Sequence, residues 1–296
     1  MNCQRNLDAR NTLVDEDALA RLASQDFATY PPVPQRELLQ FRALRARLAR
    51  SAEGGLDIDC LQTEQFAGAA MICFQKSKVV ASRCEYDMEV NDALMAHIGP
   101  NLRKDLAWYA TNRTTSDPRV RSLPLGLNDY CNYSGFHLIT GNTDYIAHIR
   151  EMSRNSVRSR ALLCFSDETT PANRTPVREI LGGRDFIRDL PLEKSLNGYL
   201  RYLQALAQSQ FCVCPRGAGI DTHRFWEALY LGCIPIILER DALGCHGGLP
   251  ALVVKEWMEL LDLDLVQLAQ TMRSDFYDLR PLAISFWVRD AQLAAL

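Results

Sequence analysis

The 296-residue chain has no apolar run approaching the roughly 20 residues that a membrane-spanning helix requires. Its opening, "MNCQRNLDARN", lacks the apolar centre of a secretory signal. Positive charge is not in excess: 33 Lys and Arg stand against 36 Asp and Glu, for a net charge of -3. That balance argues against a broad nucleic-acid surface. No G-x-x-x-x-G-K-[ST] phosphate loop occurs, and "GAG" at 217–219 lacks the third glycine of a dinucleotide-binding turn. Ten cysteines are present, but a chain this long does not need disulfide staples, and Cys212-x-Cys214 is too tight for the usual zinc spacing. The expectation is reduced thiols in a cytoplasmic protein with no transmembrane segment and no metal. Sequons at Asn112, Asn132 and Asn173 read as chance without a secretory signal. No internal repeat or low-complexity tract stands out.

What is present is alternation. Residues 1–60 form an irregular, Arg-rich lead-in with one helical stretch, "QRELLQFRALRARLARS", whose leucines repeat against a basic face. From about 65 onward, "AAMICF", "KVVAS" and "RVRSLPLGL" read as strands, while "VNDALMAHIG", "LRKDLAWYAT" and "TDYIAHIREMSRN" read as helices. After the polar stretch 153–160 the rhythm is cleaner. Strands "ALLCF", "DFIRDL", "FCVC" and "CIPIIL" alternate with helices at "VREIL", 195–208 and "HRFWEALYLG", and helices at "LDLVQLAQTMRSDFY" and 282–295 close the chain. Alternation of this kind predicts α/β architecture with two parallel-sheet βαβ domains, 1–155 and 156–296.

Chemistry concentrates in "FCVCPRGAGIDTHRFWEALYLGCIPII", residues 211–237. Ligands of open α/β sheets bind beyond the carboxyl ends of the strands, and this loop lies at such an end. Gly217 and Gly219 permit close approach and positive φ. Asp221 or Thr222 can cap the following helix, whose free amides and dipole then face a ligand. Arg216, His223 and Arg224 add donors at the same mouth, and an anion, best a diphosphate, fits. Glu227, one turn into the helix among apolar neighbours, needs a partner. Two readings stay open for it: a salt bridge to Arg224, or acceptance of hydrogen bonds from ribose hydroxyls.

The stretch resembles the nucleotide-sugar-binding segment of exostosin-like glycosyltransferases, which have the GT-B architecture. Those run Phe-x-x-x-Pro-x-Gly, then an Arg and Glu-Ala on a helix, then Gly-x-Ile-Pro. Here the positions are Phe211, Pro215, Gly217, Arg224, Glu227–Ala228 and Gly232–Pro235. "LPLGL", "SDETTPANRTPVREIL" and "RDLPLEKSLNGYLRYLQALAQS" look like further landmarks, so looser similarity covers about residues 78–290. The resemblance implies two Rossmann-like domains facing across a cleft, with the C-terminal helix crossing back to the first. It implies that Arg224 binds the diphosphate and Glu227 the ribose of a UDP-linked sugar. Gly217 and Gly219 admit the donor, Arg216, Thr222 and His223 stand beside it, and Thr170 and Arg174 approach from the neighbouring strand.

Similar enzymes are mostly inverting, with one general base that takes the acceptor hydroxyl proton. The base is expected on the N-terminal side: Asp87 in "CEYDMEV" is the first choice and Asp129 the second. His137 and His148 are weaker candidates. "DLD" at 262–264 sits in a Leu-rich helical run and does not suit a metal-diphosphate anchor. A helix N-terminus plus Arg can neutralise the leaving diphosphate, so metal independence is expected, with a nucleotide sugar and a glycan as the binding partners. Two alternatives remain. One is a fucosyltransferase-like enzyme with a GDP donor, disfavoured because His223–Arg224 stands where such enzymes carry Glu-Lys. The other is a non-catalytic nucleotide- or glycan-binding module.

Overall fold

Short apolar runs bounded by turns become parallel strands here, and the segments between them become crossovers because parallel neighbours cannot be joined by a hairpin. The computed structural model describes residues 14–28, 32–67, 69–85, 88–128 and 139–296, excepting the side chains of 67, 69 and 70. The lead-in contains α1 (Glu16–Leu22), β1 (Gln25–Asp26) and α2 (Phe41–Arg50). The first sheet follows as β2 (Leu56–Leu61), α3 (Ala69–Lys76), β3 (Val79–Cys84), α4 (Asp92–Ile98), β4 (Ala107–Ala110) and β5 (Val120–Ser122). Next come α5 (Thr143–Met152), β6 (Ala161–Leu163), α6 (Pro171–Leu181), β7 (Ile187–Asp189), α7 (Leu196–Ala207), β8 (Phe211–Val213), α8 (His223–Tyr230), β9 (Ile234–Leu238) and β10 (Leu252–Val254). The chain ends with α9 (Leu265–Ser274), β11 (Phe276–Tyr277) and α10 (Ile284–Ala295). The boundary expected at 155/156 falls in the turn between α5 and β6.

The first sheet runs β2-β3-β4-β5 and the second β10-β9-β8-β6-β7, all parallel. In the second sheet the chain starts at β6, steps outward to β7, then returns past β6 to β8. The order therefore reverses between β6 and β8. At such a reversal the loops leaving two adjacent strands diverge to opposite faces and open a crevice at their carboxyl ends.

Two expectations about the first sheet are overturned. "AAMICF" is helical, α3, rather than a strand. It supplies the crossover that the parallel pair β2–β3 demands, and it buries Phe74 while Ile72 stays exposed. "LRKDLAWYAT" contains strand β4 rather than a helix, with all four residues of Ala107–Ala110 buried. A central parallel strand is covered on both faces, so its apolar run is continuous and hides its period of two. Trp108 packs edge-on against Phe66 and Phe74, and its indole N–H donates to Ser82 Oγ at 2.7 Å. Part of the basic face of α2 is also not a solvent face: Arg45 is buried, lies 5.0 Å over the Phe41 ring, and pairs with Asp57 and Asp59 of β2.

The C-terminal helix does return to the first sheet. α10 packs against α2, β3 and β4. Ser285 N at its start donates to the buried carboxylate of Glu37, Asp290 accepts from Tyr109, and Lys78 Nζ reaches the carbonyl of Ala295. β1 and β11 add a short antiparallel pair that joins the two ends of the chain. The eight described cysteines are all free. Those at 84, 164, 212, 214, 233 and 245 are buried in the core, while Cys73 is half-buried on α3. Among the described residues no helix is long and apolar enough to cross a membrane. "DLD" is not helical throughout: Asp262 ends a 3-10 turn and Asp264 caps α9, accepting from Val266 N and Gln267 N.

Candidate functional site

The crevice between β6 and β8 holds a cavity of about 480 Å³. Its walls come from both halves of the chain, with Arg83, Leu125, Asn128 and Thr140 facing the loop 217–224 and Arg174. β8 is buried along its whole length and releases the chain at Cys214. The loop then folds on itself, Gly217 N donating to Gly219 O at 3.0 Å. Gly217 and Gly219 were expected to permit close approach and positive φ, and neither has positive φ. They supply closeness instead. A Cβ on Gly217 would lie 3.0 Å from Arg174 Nη2, and one on Gly219 3.1 Å from Asn112 Oδ1.

Helix α8 begins at the cavity, with Thr222, His223 and Arg224 in its wall. Thr222 occupies the N-cap position without a side-chain capping bond. Asp221 instead accepts from Thr222 N at 2.7 Å, Leu125 N at 2.8 Å, the Trp226 indole, and His246 Nε2 at 3.1 Å. Asp221, Cys245 and His246 bring potential metal-ligand atoms within 4.8 Å of one another. However, both Asp221 oxygens are engaged, and His246 Nδ1 accepts from Leu243 N. Burial also pushes the Cys245 thiol well above its ordinary pKa, disfavouring the thiolate a metal would need. The cluster therefore works as a hydrogen-bonded knot beneath the loop. His223 Nδ1 lies 2.8 Å from Gly126 O and donates to it.

Three guanidinium groups surround the Phe165 ring: Arg178 at 4.9 Å, and Arg174 and Arg224 each at 5.6 Å. Arg178 is neutralised by Asp167 and Asp189 at 2.8 and 2.6 Å. Arg174 and Arg224 are not: among the described residues neither has a carboxylate within salt-bridge distance. Arg174 donates only to carbonyls, those of Arg216 and Ser166. Arg224 Nε is buried without a hydrogen-bond partner among the described residues. Burial, and then the charge of Arg224, lower the pKa of Arg174 to about 10. Two buried like charges beside a cavity, one of which lowers the pKa of the other, form a site for an anion.

Glu227 is buried and does not form the salt bridge to Arg224. Its Oε1 accepts from Tyr199 at 2.8 Å and its Oε2 from Tyr202 at 2.9 Å. Burial raises its pKa, while the two phenols and then the charge of Arg224 pull it back. Tyr199 also accepts from Gly141 N at 2.8 Å. Gly141 has φ +79°, and a Cβ there would lie 1.9 Å from Asn128 O, so only glycine fits. Each Glu227 oxygen keeps lone-pair capacity toward the cavity it lines.

The remaining expected residues are more dispersed. Arg216 turns out of the cavity wall and pairs with Glu89 at 3.4 Å and Asp241 at 3.8 Å. Thr170 caps α6 and reaches only the carbonyl of Arg216, at 3.5 Å, and its neighbour Thr169 lines the cavity instead. His148 lies on α5, and its side chain is not in this wall. Asp87, Asp129 and His137 lie outside the described residues. Sequence reasoning missed both phenols: Tyr199 was read as one residue of an apolar helix face, and Tyr202 was not singled out. The available signal was two phenols at i,i+3, since buried tyrosine hydroxyls require partners.

Residues 141–246, which include α7, β8, the loop and α8, match the exostosin GT47 domain. Two proteins of Arabidopsis thaliana, each named a probable glycosyltransferase, are similar: one is 40% identical over 67 residues, 21% of this chain, and the other 32% identical over 54 residues, 18% of this chain. The matched stretches span 14% and 12% of those relatives' own lengths. Over residues 141–246, then, the chain is similar to the exostosin GT47 domain and, in shorter stretches, to proteins named probable glycosyltransferases.

Proposed function

We propose that the protein transfers a sugar from a nucleotide-sugar donor, UDP-linked, to a hydroxyl of a glycan or similar acceptor, in a GT-B arrangement of its two halves. The observation that carries this reading is the pair Arg174 and Arg224, two guanidinium groups with no carboxylate partner among the described residues, beside the cavity that Glu227 also lines. Helix α8 adds its N-terminal dipole at the same place. In the proposed reaction the acceptor oxygen attacks the anomeric carbon as the bond from that carbon to the diphosphate oxygen breaks. The nucleoside diphosphate leaves with the electron pair, and its charge is met by Arg174, Arg224 and the α8 amides. Glu227 holds the ribose diol. The acceptor proton passes to a general base, Asp87 first and Asp129 second. Attack opposite the leaving group inverts the anomeric centre. Charge neutralisation by arginine and a helix dipole makes a bound metal unnecessary to this scheme.

The test is thermal shift against UDP, GDP and their sugar conjugates, with Arg224→Ala and Glu227→Ala alongside wild type. Ligand at 100 times its Kd stabilises by about 2.7 kcal/mol. UDP compounds are expected to stabilise wild type and neither variant. Equal stabilisation of both variants removes the donor-site assignment, and a GDP preference moves the reading to the fucosyltransferase-like alternative. Binding of donor and acceptor without any release of nucleoside diphosphate identifies a binding module.

A further inference from the structure

Asn112 belongs to the N-terminal sheet, two residues past the end of β4, and its side chain reaches the donor loop. It is buried and has φ +53°. Its Oδ1 accepts from Ile220 N at 3.0 Å, and its Nδ2 donates to Met88 O at 3.4 Å. The amide orientation is fixed by both ends, because an N–H needs the oxygen and a carbonyl needs the nitrogen. Its own carbonyl accepts from Val90 N at 3.1 Å, which knits it to the segment 88–90. On the other side Gly219 presses against the same amide, and a Cβ there would lie a tight 3.1 Å from Asn112 Oδ1. The salt bridge Arg216–Glu89 runs parallel to this bridge, joining the same two segments.

We propose that Asn112 is a positioning residue for sugar transfer: it fixes the donor loop at Gly219–Ile220 against segment Met88–Val90, so that donor and acceptor sides are set in register by one side chain. The role rests on the donor-site reading above. The physical logic is that a loop built around two glycines has little stiffness of its own. Without an external bond at Ile220 N, the backbone that meets the donor samples many conformations. One amide that satisfies a donor on one segment and an acceptor on the other removes that freedom from both. The left-handed backbone suits asparagine, the non-glycine residue that most readily accepts it along with Asp.

Two variants of the full chain separate the halves of the bridge. Asn112→Gly keeps φ +53° without strain and deletes both bonds. Asn112→Asp keeps an oxygen for Ile220 N and loses the donor to Met88 O. Amide hydrogen exchange reads the bridge directly. Calorimetric affinity for UDP and GDP, and nucleoside diphosphate released from the corresponding nucleotide sugars, read its role. In Asn112→Gly the Ile220 amide is expected to exchange about tenfold faster, nucleotide affinity to fall about fivefold, and turnover to fall further. In Asn112→Asp the Ile220 amide stays protected and affinity stays within about twofold, while turnover falls about tenfold. A merely structural residue would move melting temperature, affinity and turnover together in both variants, and that pattern overturns the proposal. So does unchanged Ile220 exchange in Asn112→Gly. Wild-type protein that binds neither nucleotide overturns the donor reading itself and the functional role with it, while the exchange data still decide whether the bridge forms.

Discussion

Tyr202→Phe removes one hydroxyl from the buried carboxylate of Glu227 and leaves the ring that packs around it. Tyr202 is the cleaner of the two phenols, because Tyr199 also accepts from Gly141 N. A hydrogen bond to a charged acceptor contributes about 1.5–3 kcal/mol, and the oxygen left behind is buried. The expected loss at pH 7.5 is therefore about 2 kcal/mol, or about 3 °C in melting temperature for a chain of this length. The same change should raise the pKa of Glu227, since the phenol now favours the ionised form. Burial has already lifted that pKa above the ordinary carboxylate value, and losing the phenol lifts it further.

The sign follows from proton binding. A carboxyl whose folded pKa is raised binds its proton more readily in the folded state, so folding is favoured at low pH and that advantage is lost as pH rises through the folded value. Tyr202→Phe raises the folded value again. The gap between wild type and variant is therefore full above both folded values, and it narrows as pH falls through the variant's value to that of wild type. The assay is melting temperature from pH 4.5 to 8.5, repeated in a Glu227→Gln background. There the acceptor is neutral, so the Tyr202→Phe effect should fall by about half and lose its pH dependence. A gap that is constant with pH, or equal in the two backgrounds, would refute the clamp as an electrostatic device and leave only packing.

Other consequences are separable. Arg224→Met removes a buried charge with an unpartnered Nε, so the ligand-free protein should lose no more than about 1 kcal/mol, while stabilisation by inorganic pyrophosphate disappears. A loss above about 3 kcal/mol without ligand would mean that the arginine is structural. Val288→Ala on α10, fully buried, should cost about 2 kcal/mol and raise hydrogen exchange in β3 and β4. An increase confined to the second sheet would contradict the docking of α10 on the first. Expression in a glycosylating cell should leave Asn112 unmodified, because its amide is buried and spent on Ile220 and Met88. A glycan found there on folded protein, by peptide mass spectrometry, would show that the loop contact opens.

The second sheet was legible because its strands are short, bounded by turns, and separated by helices with one apolar face. α7 and α8 start and stop within one residue or so of their sequence signals, Ser195 capping one and Gly232 ending the other with φ +70°. The first sheet was less legible for a reason that β4 makes plain. Ala107–Ala110 is covered on both faces, so neither the helical nor the strand period survives in its sequence. "AAMICF" fails in the opposite direction: one buried phenylalanine in a crossover helix resembles a strand unless the parallel partner β2 is known. Strand β2 itself, "LDIDCL", carries its two aspartates to meet Arg45 of α2, and its alternation was hidden inside what read as an irregular lead-in.

The site divides along the same physical line. Arg224, Glu227 and the two glycines were visible because one strand–loop–helix unit carries them all, and local spacing fixes their relative positions. Tyr199, Tyr202, Arg83 and Asn112 were not visible, because what they contact is set by sheet order and by how the two halves meet. Asn112 is the sharpest instance. In the sequence it is the first letter of a sequon; in the fold it lies 108 positions from the amide it holds. A residue of that kind has no local signature, since its function resides in a distance between segments that only the folded chain defines. The consequence for loop 215–222 is specific: its glycines leave the backbone free to approach a ligand, and the stiffness they forfeit returns from Asn112, Leu125 and Gly126, all on the N-terminal side. The matched domain spans 141–246, so three of the contacts that shape its central loop lie outside it. Transplanting 141–246 alone would carry the charges of the site without the bonds that hold them in place.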